Sequence, residues 1–348
     1  MPNNIVFVIA KLVERENLTP EEAEHAFQII MNGGANPAQM AAFLVAMRMK
    51  GETTAEITAG AKVMRAKVTP FHAPEGAVDV CGTGGDARGT LNVSTAVAIV
   101  VAGCGVPVVK HGNRSVSSKS GSSDVLSALG ADVNADAKLM EKSLKTSNLA
   151  FLMAPRFHTA MRHIAPVRSE LGMRTIFNLL GPLANPAKPT RQVIGVYDKM
   201  WLLPIAEVLR ELGSEHAWIV HGSDGLDELT TTGISHVAEL KDGKIREFTI
   251  TPEDAGLPLA TLKDIQGGDA QHNAEALTRL LSKTASSYRD IVLLNASAAL
   301  IVAGKVKNLK DGVAMAAQSI DSGNAKEALA TLVTLTSEYE VMKVPGNG

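Results

Sequence analysis

Ile5, Val8, Ile9 and Leu12 recur at the spacing of one helix face, and the same spacing returns at Ala23, Ala26, Phe27 and Ile30 and at Met40, Phe43, Leu44 and Met47. Start signals precede the later repeats. Thr19-Pro20-Glu21-Glu22 sets an N-cap hydroxyl, a proline at the first helical position and a glutamate that can reach back to the cap. Asn36-Pro37-Ala38-Gln39 and Thr53-Thr54-Ala55-Glu56 repeat the device. Gly33-Gly34 and Gly51 punctuate the joins. The spacing predicts a small all-helical domain of about four helices over residues 1–70, ending near Val68-Thr69-Pro70.

From Ala77 the pattern changes to short β-branched runs alternating with helical windows, as in an α/β protein built on a mainly parallel sheet flanked by helices. The expected strands are Ala77–Cys81, Val106–Lys110, Leu149–Met153, Gln192–Tyr197 and Ala217–His221. Ser235–Ile250 reads as an antiparallel hairpin turning at Lys241-Asp242-Gly243-Lys244, and helix returns from about Gln271 to Met342. Residues 71–348 then form the large α/β domain.

Composition narrows the class. The 348 residues carry 34 Lys+Arg against 36 Asp+Glu, a formal charge of −2, with 45% hydrophobic residues. That excludes disorder and collagen-like chains, and it gives no basic excess for nucleic acid or a membrane surface. The apolar stretch Ala96–Val109 is broken by Gly103, Gly105 and Pro107 and falls short of the about 20 residues that span a bilayer. The apolar run from Ile5 to Ala10 has no Lys or Arg before it, unlike a signal peptide. Two cysteines, Cys81 and Cys104, sit in apolar contexts and suit a reducing compartment, so a cytoplasmic protein is expected.

Three polar segments follow expected strands. Asp79-Val80-Cys81-Gly82-Thr83-Gly84-Gly85-Asp86 is a glycine-rich turn leading to Thr90-Leu91-Asn92-Val93-Ser94-Thr95 at a helix start, where backbone N–H groups converge as a phosphate requires. Glycine there lets a ligand approach the main chain; an ordinary turn with a Ser or Thr N-cap has the same outline. The spacing is neither Gly-x-Gly-x-x-Gly nor a Walker loop. Lys110 to Asp124 packs Lys110, Arg114 and Lys119 among serines and glycines, which suits several phosphate groups, although a solvated loop is also polar. In a parallel sheet both turns face one crevice. Asp227-Glu228, after the fifth strand, can hold Mg²⁺ beside a polyphosphate, or can be a solvated turn. A fourth segment, Arg156 to Arg168 leading into Leu171–Pro182, mixes His, Arg, Met and Phe and could wall a pocket for a small aromatic acid; taken alone, it reads better as core at Met161, Ile164 and Phe177 with surface arginines.

In combination and order, Gly82-Thr83-Gly84-Gly85-Asp86, Asn92-Val93-Ser94-Thr95, Lys110-His111-Gly112-Asn113-Arg114, Asp224-Gly225-Leu226-Asp227-Glu228 and Arg174-Thr175-Ile176-Phe177-Asn178-Leu179-Leu180-Gly181-Pro182 resemble the anthranilate phosphoribosyltransferase family of tryptophan biosynthesis, over nearly the whole chain. Leu91 and Ser123 stand where that family usually has Phe and Ala.

The resemblance implies a nucleoside phosphorylase/phosphoribosyltransferase-like fold, with helices from about 160–185 joining the N-terminal domain, and transfer of phosphoribosyl from phosphoribosyl pyrophosphate to anthranilate. It implies that Gly82, Gly85, Asp86, Thr90, Asn92, Val93, Ser94 and Thr95 hold the pyrophosphate and ribose, with Lys110, His111, Gly112, Asn113, Arg114, Ser115, Val116, Ser117, Ser118 and Ser122 on the remaining phosphate surface. Anthranilate would meet Gly82, Asn113, His158 and Arg168, and Ser94, Asp227 and Glu228 would hold two Mg²⁺ ions. No residue serves as acid or base; Lys110 and Arg114 act electrostatically. A homodimer through the N-terminal helices and an interdomain cleft that closes over substrate are implied as well. A pyrimidine nucleoside phosphorylase-like enzyme and a non-catalytic nucleic-acid-binding relative are the alternatives. The first needs no Asp227-Glu228 pair, and near-zero net charge opposes the second.

Overall fold

The structure, a computed structural model, describes residues 5–114 and 119–343, with side chains to residue 337. It begins with helices α1 (Ile5–Val13), α2 (Pro20–Met31), α3 (Pro37–Lys50) and α4 (Thr54–Lys67). All three expected capping boxes close: Thr19 with Glu22, Asn36 with Gln39 and Thr53 with Glu56 exchange side-chain and backbone hydrogen bonds. Each box satisfies two helix-end N–H groups that would otherwise have no partner.

The sheet has strands β1 (Val78–Gly82), β2 (Val108–Gly112), β3 (Leu149–Met153), β4 (Arg191–Gly195), β5 (His216–Gly222), β6 (Ser235–Lys241) and β7 (Lys244–Ile250), in the order β3-β2-β1-β4-β5-β6-β7. β1 to β5 run parallel, and β6 and β7 extend the sheet antiparallel. The expected strands are present with ends moved by one or two residues. β2 starts after Pro107 because proline has no N–H to give the ladder. The last turn is a two-residue hairpin with Asp242 at φ 49° and Gly243 at φ 76°, both left-handed as the tight turn demands.

The other helices are α5 (Val93–Gly103), α6 (Ser122–Ala128), α7 (Ala137–Ser147), α8 (Ala154–Phe157), α9 (Ala165–Leu171), α10 (Ile176–Leu183), α11 (Leu202–Glu211), α12 (Ala270–Leu281), α13 (Ser287–Val302), α14 (Leu309–Ser322) and α15 (Asn324–Lys343). Strand alternation assigns them to two faces. Val80, Val193 and Val220 point into a core shared with α5 and α12 to α15, whereas Cys81, Ile194 and Ile219 point into one shared with α9 to α11 and all four N-terminal helices. From β1 the chain winds outward through β2 to β3, then returns past β1 to β4 and continues the other way. β1 is therefore the reversal point, and the crevice beyond its carboxyl end is where such sheets bind ligands. No helix among the described residues is long and apolar enough to cross a membrane.

Candidate active site

β1 and β4 are in register at Gly82 and Gly195, and the Asp227 turn lies directly above both. A Cβ at Gly82 would overlap the Asp227 carboxylate, and one at Gly195 would overlap its carbonyl. Glycine at 82 therefore also serves the protein's own packing, since the Asp227 side chain makes a close approach there. Gly84 and Gly85, at φ 65° and 77°, need glycine for conformation instead. The Gly84 N–H donates to Asp227 Oδ2 at 2.7 Å. The acidic turn is anchored from behind, where Asn295 on α13 accepts from the Leu229 N–H at 2.9 Å and donates to the Leu229 carbonyl at 2.8 Å.

At the start of α5 the cap position is Asn92, and no side-chain cap hydrogen bond forms. The Asn92 amide instead donates to the Ser120 carbonyl at 3.2 Å and accepts from Asn273 Nδ2 at 2.8 Å, while the Tyr288 hydroxyl donates to its carbonyl at 3.0 Å. Ser94 N–H donates to Glu228 Oε1 at 3.1 Å. Thr95 Oγ1, buried in the first turn, has no partner among the described residues.

Lys110 in the middle of β2 is 3% exposed, and its Nζ donates to the Val80 carbonyl at 2.7 Å and to Ser94 Oγ at 3.2 Å. Beneath it the fully buried Asp79 accepts from the His111 N–H at 3.2 Å and from Asn185 Nδ2 at 2.8 Å, and the same Asn185 nitrogen donates to the Val109 carbonyl at 2.8 Å. This arrangement ties β1 and β2 together beneath the site. Burial first, and then mutual repulsion among Asp86, Asp227 and Glu228, raises the carboxyl groups of Asp227 and Glu228 above the usual range. The Arg88 guanidinium lies against Gly225 of the same acidic turn.

The opposite wall is less polar. His111 Nδ1 lies 3.2 Å from the Gly181 carbonyl, and its ring centroid is 5.1 Å from that of His158. Burial pushes His111 down to about 3 and His158 to about 4, so both are neutral at physiological pH, and neither buried Nε2 has a partner among the described residues. Arg168, lowered to about 10 by burial, has its guanidinium carbon 5.2 Å from the Phe177 ring centre.

These walls enclose one cleft of about 700 Å³. Gly82, Gly85, Asp86, Thr90, Asn92, Val93, Ser94, Thr95, Lys110, His111, Gly112, Asn113, Arg114, Ser122, His158, Arg168, Asp227 and Glu228 all line it. Ser115, Val116, Ser117 and Ser118 lie outside the described residues. Met161, Phe177, Asn178, Gly181 and Pro182, from the segment expected to wall a pocket, also line the cleft, as does Met64, which had no role from sequence. The run Arg174–Pro182 was the only signal for four of them. A second hollow, of about 570 Å³ around Gly103 and Asn324, contains none of the expected residues.

Two family models match the chain, the helical bundle domain of a glycosyl transferase family over residues 7–68 and its a/b domain over residues 74–326. Anthranilate phosphoribosyltransferase of Rhodospirillum rubrum is 56% identical over 96% of this chain and 96% of its own length. The chain belongs to the anthranilate phosphoribosyltransferase family. The enzyme of this family from Thermus thermophilus has a crystal structure 42% identical to this chain, covering 94% of it and 98% of that chain at a TM-score of 0.89. The Saccharomyces cerevisiae enzyme, solved in complex with PRPP and Mg, is 28% identical over 97% and 99% of the two chains with a TM-score of 0.88. The yeast protein has also been solved in complex with 4-fluoroanthranilate, at 26% identity over 97% and 100% of the two chains and a TM-score of 0.85.

Proposed function

We infer that this protein transfers the 5-phosphoribosyl group of phosphoribosyl pyrophosphate to the amine of anthranilate, giving N-(5-phosphoribosyl)anthranilate and pyrophosphate. The observation that carries the reading is one cleft with two unlike walls. A glycine turn, a buried lysine and paired carboxylates suit a diphosphorylated sugar, and a half-buried arginine beside neutral histidines suits a small aromatic acid. An aromatic amine carries its lone pair at neutral pH, so the reaction needs no strong base. The new bond joins that nitrogen to C1 of the ribose, the bond from C1 to the pyrophosphate oxygen breaks with its electron pair, and the nitrogen then releases one proton to solvent or to the departing pyrophosphate. The demanding charge is the one that builds on the departing diphosphate, where fixed cations and N–H donors are worth most.

In this reading Lys110 and Arg114 supply fixed positive charge. Gly82, Gly85, Asp86, Thr90, Asn92, Val93, Ser94 and Thr95 hold the pyrophosphate and ribose, and His111, Gly112, Asn113 and Ser122 complete the phosphate surface. Arg168 takes the anthranilate carboxylate, with Gly82, Asn113 and His158 around the ring and amine. The oxygen-only donors Ser94, Asp227 and Glu228 fit Mg²⁺, which binds through a few carboxylates plus phosphate oxygens, and their raised carboxyl groups fit a site awaiting a cation. Magnesium bound there neutralises the diphosphate, and we assign two ions to the site.

We also propose a helical domain of residues 1–70, joined by helices from about 160–185, set against the large domain of residues 71–348, with closure over substrate. A homodimer through the N-terminal helices is supported by α1, which exposes Phe7 and Val13 opposite its buried Ile5, Val8 and Leu12. The two free thiols, Cys81 and Cys104, support a cytoplasmic setting. The direct test mixes protein, phosphoribosyl pyrophosphate, MgCl₂ and anthranilate and follows loss of anthranilate fluorescence, omitting each component in turn. Undiminished fluorescence in the complete mixture overturns the reading. A monomer in sedimentation removes the dimer, and proteolysis unaffected by phosphoribosyl pyrophosphate with Mg²⁺ removes the closure.

A further inference from the structure

Arg174 opens the segment Arg174–Pro182, and the proposed reaction leaves it without a role. Its side chain is exposed, yet it is held at two points. The guanidinium carbon stands 4.5 Å from the centre of the Tyr197 ring, which is itself only 8% exposed. The stem rests on the glycine turn, since a Cβ at Gly85 would lie 3.3 Å from Arg174 Cδ.

Tyr197 is tied to the same turn. Its N–H donates to Thr83 Oγ1 at 3.1 Å, and the Thr83 N–H donates to the Gly195 carbonyl at 2.9 Å. The left-handed Gly84-Gly85 pair therefore has the Thr83 contacts before it and the Arg174 stem against it. A cation stacked on an aromatic face at an exposed site gains a modest attraction, enough to bias a short loop without fixing a whole domain. Among the described residues no carboxylate or hydrogen-bond acceptor pairs with the guanidinium, so its charge is left for something else near that turn. The nearest wall of the cleft carries Asp86, Asp227 and Glu228, its Lys110 is committed to the Val80 carbonyl and Ser94, and the Arg88 guanidinium lies against Gly225 of the acidic turn, which leaves Arg174 as the cation resting on the glycine turn itself.

We propose that Arg174 is a positioning residue for the diphosphate group: its stem, stacked on Tyr197, holds the Gly84-Gly85 turn, and its unpaired charge draws the anion to that turn. The inference rests on the diphosphate reading of the cleft. It concerns the diphosphate end of the donor substrate only, and predicts nothing at the Arg168 wall.

The test titrates magnesium pyrophosphate into the full-length protein by calorimetry and measures KM for both substrates in the wild type, Arg174→Met, Arg174→Lys and Tyr197→Phe. Arg174→Met keeps a stem without charge, Arg174→Lys keeps charge without the planar stack, and Tyr197→Phe keeps the ring. Arg174→Met should weaken magnesium pyrophosphate binding and raise the KM for phosphoribosyl pyrophosphate about three- to tenfold, the span of a partly solvated charge contact, with the anthranilate KM within about twofold. Arg174→Lys should recover part of the loss, and Tyr197→Phe should match the wild type. Unchanged pyrophosphate binding in Arg174→Met, or an equal rise in both KM values, overturns the proposal. A wild type that binds magnesium pyrophosphate but does not turn over anthranilate would sink the transfer reading alone, because the pyrophosphate titration still decides the role of Arg174.

Discussion

Asp227 Oδ2 accepts the Gly84 N–H at 2.7 Å, although the two residues lie on turns at opposite ends of the parallel sheet's sequence. Glu228 does the same at the start of α5, where its Oε1 accepts the Ser94 N–H at 3.1 Å. Both carboxylates thus occupy backbone donors of the kind that an incoming phosphate would seek. Binding a diphosphate therefore requires these carboxylates to find another positive partner, which the proposed cations supply.

Asp227→Asn combined with Glu228→Gln should remove the magnesium dependence of binding and lower turnover by two orders of magnitude or more, about 3 kcal/mol of lost stabilisation. The same variant should melt a few degrees higher than the wild type in EDTA, because buried like charges are gone. Added MgCl₂ should raise the wild-type melting temperature and leave that of the variant in place. A melting response to MgCl₂ identical in both proteins would remove these carboxylates from the metal site.

Arg168 is half-buried without an ion-pair partner among the described residues, and burial lowers it to about 10. A cation in that state gains most from an anionic ligand. Arg168→Ala should raise the KM for anthranilate by about 30-fold or more, in the range of 2–5 kcal/mol for losing one partner of a buried charge pair, while the KM for phosphoribosyl pyrophosphate changes little. Steady-state kinetics with each substrate varied will show it; parallel changes in both would refute the assignment.

Gly195 and Gly82 form the floor under Asp227. Gly195→Ala forces a methyl group into the Asp227 main chain, so the acidic turn must move as a unit. We expect about 1–3 kcal/mol of destabilisation and a rise in the magnesium concentration needed for half activity. Gly82→Ala meets the flexible end of the same side chain and should shift the magnesium requirement with a smaller stability loss. A normal magnesium titration in both variants would show that the floor does not position the carboxylates.

Much of this was legible in the residues because local rules and tertiary needs agree. The capping boxes at Thr19, Asn36 and Thr53 formed where their spacing placed them, and Asp242-Gly243 made the one hairpin. Each cleft segment alone reads equally as an ordinary or solvated turn, and the cleft was readable only because the segments follow parallel strands whose carboxyl ends share one crevice. What could not be read is contact across the sheet. Nothing near Gly82 announces that Asp227 will sit on it, since that follows from β4 lying beside β1. Asn92 stands at the start of α5, where the sequence offered only a Ser or Thr cap, yet Ser120, Asn273 and Tyr288 recruit its polar groups from three other segments. The stacking of Arg174 on Tyr197 likewise joins residues whose intervening chain crosses to the next strand.

Glu239 gives a stability prediction remote from the cleft. It is 3% exposed on β6 and accepts from Trp218 Nε1 at 3.0 Å and Arg246 Nε, with His216 Nε2 at 2.9 Å. Burial alone would raise its carboxyl group, but the His216, Trp218 and Arg246 hydrogen bonds outweigh that and bring it to about 2. Because the folded value lies below the ordinary 4.5, the native state binds fewer protons than the unfolded chain between the two. Its stabilising contribution is complete above about pH 4.5 and disappears as the pH falls towards about 2. Glu239→Gln should therefore cost about 1–3 kcal/mol at pH 7, as expected when a buried charged acceptor is lost. The gap in urea midpoint between wild type and variant should narrow steadily below pH 4.5, as the wild-type carboxyl group takes up its proton. A gap that stays constant from pH 7 to pH 3 would mean that packing around Glu239, and not its charge, sets its contribution.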